Sequence, residues 1–139
     1  MKLLLDTCTF LWLAADDPKL SKTALASCRD SGNEVFLSAL SAWEIAVKYR
    51  LGRLPLPARP ERHVVGRRRW LRLDPLAFDE SSAPHDALLP NHHRDPFDRG
   101  LVSQAILNGM TIVTPDPMIA RYPAPGVVSG TSAARDPAR

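Results

Sequence analysis

The sequence predicts an α/β domain with a central, mostly parallel sheet of four or five strands flanked by helices. Short apolar runs alternate with helix-period segments, the pattern of strands joined by helical crossovers. Two of these runs lead into an aspartate: Leu3-Leu4-Leu5 into Asp6, and Thr111–Thr114 into Asp116. A single stretch, Arg94-Asp95-Pro96-Phe97-Asp98-Arg99-Gly100-Leu101-Val102, holds two carboxylates, two guanidiniums and a helix start.

Each element follows from local chemistry. Lys2–Leu5 reads as a strand buried on both faces. Thr7–Ala15 reads as a helix with Phe10, Leu11, Leu13 and Ala14 apolar. Ser21 caps a second helix, Lys22–Asp30, which Gly32 stops. Val35–Leu37 is the second strand. Ser41-Ala42-Trp43-Glu44 fits a capping box that starts a third helix, and the helix runs to Leu51 and ends at Gly52. Its buried stripe is then Leu40, Trp43, Val47 and Leu51. Glu44 also stands four residues before Lys48, so a surface ion pair is a second reading.

Leu54–Pro60 is a proline-rich connector, and Glu61–Trp70 a helix weakened by Gly66. That helix carries Arg62, Arg67, Arg68 and Arg69, a run that is either a solvated face or a phosphate contact. Leu71–Leu73 is expected as the third strand, and Asp79–Leu89 as a helical segment broken by Pro84. His92 and His93 fall in a loop, with no cysteine or third histidine at zinc-ligand spacing. Asp95 caps a helix over Pro96–Asn108, with Pro96 at its first position and Gly109 past its end. Thr111–Thr114 is the fourth strand, and Pro117 opens a short helix to Arg121. Val127-Val128 adds an edge strand.

The 139 residues suit one domain, expected over 1–128, with 129–139 as a disordered polar tail. The hydrophobic share of 45% is enough for a core, and with 6% aromatic residues that core is mainly aliphatic. A net charge of +3 and a pI near 9.2 admit an anionic partner. Cys8 and Cys28 form no C-x-x-C pair, so reduced thiols and a cytoplasmic protein are expected. No apolar run approaches the ~20 residues of a membrane helix.

The carboxylates carry the chemistry. Asp98 precedes Leu101, Val102 and Ala105 by three, four and seven residues, so it lies on the apolar side of its helix. A carboxylate aimed at a core is costly unless something compensates it. Asp6 and Asp116 fall at the carboxyl ends of strands, where ligands bind open α/β sheets. Asp98 and Glu44, in the first turns of helices, can share that cleft. Each has an innocent reading as a turn or a cap. Together they repel one another, which makes sense if the cleft holds one or two Mg²⁺ or Mn²⁺ ions. The expected chemistry is phosphodiester hydrolysis by a metal-activated water.

Four motifs then carry a family likeness. Leu3-Leu4-Leu5-Asp6-Thr7-Cys8-Thr9-Phe10-Leu11-Trp12, Ser41-Ala42-Trp43-Glu44-Ile45-Ala46-Val47-Lys48, His93-Arg94-Asp95-Pro96-Phe97-Asp98-Arg99 and Thr114-Pro115-Asp116 come in the order and approximate spacing of PIN-domain proteins. Over roughly residues 1–122 the chain resembles the VapC-type toxins of bacterial toxin–antitoxin pairs. The resemblance implies a PIN-like fold, a metal-dependent endoribonuclease with an RNA substrate, a homodimer, and a cognate antitoxin that blocks the cleft. Carried over by motif, Asp6, Glu44, Asp98 and Asp116 are the catalytic and metal-binding set. Thr7 and Thr114 support it by hydrogen bonding to a carboxylate or to a metal-bound water. Asp95 is either the N-cap alone or a contact to metal through water.

Arg94, Arg99, Arg67 and Arg68 are the candidate RNA contacts. Cys8 stands where many relatives have His, a difference expected to affect packing more than chemistry. The alternative function is a PIN-fold module that binds RNA or antitoxin without cutting. Covalent phosphoryl transfer through Asp6 would need a second Asp two residues on, and that position is Cys8.

Overall fold

The structure is a computed structural model that describes residues 1–123 and 126–129. The strands are β1 (Lys2–Leu5), β2 (Glu34–Ser38), β3 (Asp74–Leu76), β4 (Thr111–Thr114) and β5 (Gly126–Ser129). They lie in the order β3-β2-β1-β4-β5, and every pairing is parallel. The helices are α1 (Thr7–Ala14), α2 (Lys22–Arg29), α3 (Ala39–Arg50), α4 (Pro60–Trp70) and α5 (Pro96–Asn108). Short 3-10 turns span Pro84–Leu88 and Pro117–Arg121.

β1 is central because Leu3, Leu4 and Leu5 are all fully buried. Alternate side chains of a strand leave on opposite faces. Leu3 and Leu5 accordingly pack with Phe10, Leu13, Val35 and Ile45 on one side of the sheet. Leu4 packs with Leu40, Leu101, Val102 and Ile112 on the other. A strand buried on both faces reads as a continuous apolar run, and Asp6 ends this one at the carboxyl edge of the sheet.

α5 has the expected bounds. Asp95 caps it by accepting the Phe97 N–H at 2.8 Å, and Gly109 closes it in the left-handed region at φ +62°. Gly100 lets α5 approach α3 closely, since a Cβ there would lie 2.3 Å from Leu40 Cδ1. β4, the turn over Pro117–Arg121 and an edge strand containing Val127 and Val128 also stand where expected. Ser129, expected as the first residue of the tail, instead ends β5 in register with Thr114, and the rest of the expected tail, 130–139, lies outside the described residues.

Four local expectations are corrected. The cap of α3 is Ser38, not Ser41. Ser38 Oγ accepts the Leu40 N–H at 3.0 Å and donates to Gln104 Oε1 at 2.5 Å, so the helix starts directly at the end of β2. The earlier start changes the buried face: Trp43 and Leu51 are 61% and 50% exposed, while Leu40, Ser41, Glu44 and Ile45 point inward. The third strand is Asp74–Leu76 rather than Leu71–Leu73. Leu71 closes α4 and Arg72 turns the chain at φ +57°, so pairing begins after Leu73. Pro75 is tolerated because β3 is an edge strand. α2 stops at Arg29, and Gly32 sits in the following turn, donating its N–H to Asp30 Oδ1 at 2.8 Å. Between Asp79 and Leu89, Pro84 opens only a 3-10 turn.

Candidate active site

The end of β1 is tied to the end of β4. Asp6 N–H donates to Val113 O at 3.1 Å, and Thr9 Oγ1 donates to the same carbonyl at 3.0 Å. Asp6 also caps α1, with Oδ1 accepting the Thr9 N–H at 2.8 Å. Its other oxygen accepts from Thr114 Oγ1 at 2.5 Å, and Thr114 Oγ1 in turn accepts the Asp116 N–H at 3.0 Å. Thr114 therefore sets the spacing of the two strand-end aspartates. Asp116 caps its own turn through Met118 N–H at 2.9 Å and accepts from His93 Nε2 at 2.6 Å.

Glu44 enters from α3 and is only 4% exposed. It is buried by the register that Ser38 sets, not by a capping box. Thr7 Oγ1 donates to Glu44 Oε1 at 2.6 Å, and Lys48 Nζ pairs with Oε2. The Glu44–Lys48 pair read from spacing is present, with its acidic partner buried rather than on the surface. Asp98 comes from the first turn of α5. No hydrogen-bond donor reaches its carboxylate among the described residues.

All four carboxylates line one open cavity of about 450 Å³ at the carboxyl edge of the sheet, with Asp95, Thr7, Cys8, Lys48 and Arg53. Burial pushes the Asp98 carboxyl up to about 6, and the nearby Asp95 and Glu44 charges add to the rise. Burial also raises the Asp6 carboxyl, against the lowering effect of its Thr114 and Thr9 hydrogen bonds. The hydrogen bond to Glu44 raises Lys48, so the ammonium stays charged. Burial, followed by the Asp6 charge, lifts the Cys8 thiol to about 11, which leaves it protonated and unreactive at neutral pH.

No three His, Cys, Asp or Glu groups among the described residues meet closely enough to form a ready-made metal shell. The carboxylates ring the cavity instead. As an all-oxygen donor set, they fit a hard divalent cation of the Mg²⁺ or Mn²⁺ kind. Asp98, half-buried and without a hydrogen-bond donor among the described residues, is the carboxylate freest to turn toward such a cation.

The arginines divide differently from expectation. Arg99 is buried at 8% exposure. It donates through Nε to Asp86 Oδ1 at 2.6 Å, through Nη2 to Asp86 O at 2.7 Å, and through Nη1 to Pro90 O at 2.9 Å. Its guanidinium is taken up by these acceptors, and its remaining surface borders the larger cavity rather than the acidic one. Arg68 donates to Leu73 O at 3.2 Å, and the Arg67 guanidinium lies 6.0 Å from the Trp70 ring centroid. Neither lines the acidic cavity. Arg94 is exposed on a second, larger cavity that Trp43, Phe97 and His93 also line. Arg53 and Tyr122 carry no signal in the linear pattern, and the loop residue His93 meets Asp116 across 23 residues of sequence.

Fold and cleft together define a parallel α/β domain that gathers carboxylates at the carboxyl edge of its sheet. Residues 3–125 match the family model of the PIN domain, and the chain belongs to that family. Over 72 residues it is 40% identical to Ribonuclease VapC16 of Mycobacterium tuberculosis (strain ATCC 25618 / H37Rv), an alignment covering 49% of this chain and 51% of that protein. The match thus spans about half the length of that curated relative. In fold the chain is similar to the crystal structure of VapBC2 from Rickettsia felis bound to a DNA fragment from their promoter. The TM-score is 0.65 at 17% identity, covering 93% of this chain and 98% of that one. It is also similar to the structure of FitAB bound to IR36 DNA fragment, with a TM-score of 0.62 at 20% identity, covering 91% of this chain and 94% of that one.

Proposed function

We propose that the chain is a metal-dependent endoribonuclease acting as the toxin of a bacterial toxin–antitoxin pair. The observation that carries this reading is the set of Asp6, Glu44, Asp98 and Asp116 around one cavity, with no hydrogen-bond donor to Asp98 among the described residues. The match to a ribonuclease over half its length supports the substrate class. The fold neighbours, a VapBC complex and FitAB, support a cognate antitoxin as partner. A homodimer and a cytoplasmic location belong to the same reading. No helix among the described residues is long and apolar enough to cross a membrane.

The four carboxylates would hold one or two Mg²⁺ or Mn²⁺ ions, which when bound supply an activated water and stabilise charge on the phosphoryl group. The chain's own residues prepare the site. Thr114 and the Thr9 N–H fix Asp6, and Thr7 fixes Glu44. Lys48 balances Glu44 before any cation arrives. Arg53, exposed at the cavity mouth, receives the phosphate backbone, and Asp95 serves as the cap of α5 and adds to the local negative field.

The Lys48–Glu44 pair favours a second reading, a module that binds RNA or antitoxin without cutting, because it already neutralises one carboxylate. Incubating the purified chain with total bacterial RNA in Mg²⁺, in Mn²⁺ and in EDTA separates the two. Discrete fragments that require metal support the nuclease. Intact RNA in all three conditions, from a folded chain that retains RNA, supports the module.

A further inference from the structure

His93 stands in the loop before α5, yet its ring makes two directed bonds. Nε2 lies 2.6 Å from Asp116 Oδ2 and Nδ1 lies 2.8 Å from the Tyr122 hydroxyl. The ring stacks on Tyr122 at 5.4 Å between centroids, 23° from parallel. His93 has 10% of its side chain exposed, while Asp116 keeps 35% and faces the acidic cavity. An ionised carboxylate only accepts, so Nε2 carries the proton it shares with Asp116. A neutral imidazole then accepts from the tyrosine hydroxyl at Nδ1, and both bonds are satisfied. The loop itself is clamped by Arg99, which donates to Pro90 O at 2.9 Å and to His93 O at 3.4 Å.

We propose that His93, oriented by Tyr122 and by the Arg99 clamp, is a positioning residue that holds the Asp116 carboxylate in the geometry needed to receive the metal ion. The inference rests on the metal-dependent reading above. Among the described residues the Asp116 carboxylate has two fixed points, the Met118 N–H and this imidazole. The turn fixes one oxygen, and His93 fixes the other. His93 lines the larger cavity and Asp116 the acidic one, and the hydrogen bond between them joins the two. Hydrogen-bond partners of metal-binding carboxylates tune affinity without touching the ion.

The test is Mn²⁺ titration by calorimetry on the full chain and its variants, each checked for folding by circular dichroism. His93→Ala is expected to weaken Mn²⁺ binding by about ten- to a hundred-fold. His93→Gln, whose amide reaches the Nε2 position, recovers most of that loss; His93→Asn, too short to reach Asp116, does not. A packing role alone would not rank those two variants in this order. Tyr122→Phe, which keeps the ring, gives a smaller loss and lowers kcat without raising KM for RNA. Unchanged Mn²⁺ affinity in folded His93→Ala overturns the proposal. If His93→Ala does not fold, unchanged affinity and kcat in Tyr122→Phe overturn it instead. Absence of Mn²⁺ heat in the unaltered chain is a different failure: it removes the metal reading itself, and the proposal falls with it.

Discussion

Asp98 and Arg99 are adjacent in sequence and both enter the interior from the first turn of α5, yet they meet opposite environments. Arg99 is surrounded by acceptors: the Asp86 carboxylate and the carbonyls of Asp86, Leu89, Pro90 and His93. Asp98 is half-buried beside Asp95 and Glu44, with no hydrogen-bond donor among the described residues, and burial followed by those charges raises its proton affinity. A buried charge with its partners supplied is a structural part, because removing it leaves the partners unpaired. A half-buried carboxylate set among other carboxylates has its proton affinity raised and marks a candidate functional position. One helix turn thus holds a fully partnered cation and a carboxylate that faces its own kind, side by side.

The largest expected effect is on activity. Asp98→Asn keeps the side-chain volume and removes the charge, so RNA cleavage falls by about 10²–10³-fold, the scale for losing one preorganised electrostatic group. Gel analysis of fragment yield against time reads it, and the folded fraction stays at the unaltered level. Arg99→Met reverses the pattern by leaving buried carbonyls unpaired. It lowers stability in urea by about 2–3 kcal/mol, below the full cost of breaking a buried pair because Asp86 is half exposed. Equal stability of Arg99→Met and the unaltered chain would erase the contrast between the neighbours.

Gly100→Ala probes the helix contact that presents both residues. The new methyl meets Leu40 and Phe78, and the expected overpacking cost is about 1–2 kcal/mol, read from the urea midpoint.

A smaller effect is the pH dependence of Asp98. Its folded value, about 6, lies above the ordinary 3.8. The folded state therefore holds this proton more tightly than the unfolded chain, and stability falls as pH rises from 4 toward 6. Asp98→Asn avoids that loss. It is expected to be the more stable chain at pH 7, with the advantage gone below pH 3.8. Urea titrations at pH 7 and pH 3.5 measure both ends.

The sequence made most of the cleft legible because its signals are local. A polar residue that ends an apolar run marks a strand end, as Asp6 and Asp116 do, and Asp95-Pro96 marks a helix start whatever surrounds it. The apolar spacing after Asp98 foretold that its carboxylate would be turned inward. Where the deciding partner is distant, the local pattern misled. Ser38 caps α3 because Gln104, 66 residues away, also engages its hydroxyl, and this moved Glu44 from a cap position into the interior. Arg99 looked available to RNA because neither Asp86 nor the carbonyls it binds are visible as partners in a linear reading. His93 opens one of the four motifs, but its contacts were not legible, since its partners Asp116 and Tyr122 lie 23 and 29 residues on.

In the proposed reading, a divalent cation would offset the repulsion among the carboxylates around Asp98. Thermal melts of the unaltered chain and Asp98→Asn at pH 7, each with EDTA and with Mn²⁺, test it most directly. Asp98→Asn is expected to melt higher in EDTA, Mn²⁺ is expected to raise the Tm of the unaltered chain, and the ion is expected to leave Asp98→Asn nearly unmoved. A Tm for the unaltered chain that does not respond to Mn²⁺, or an equal response in both chains, would contradict it.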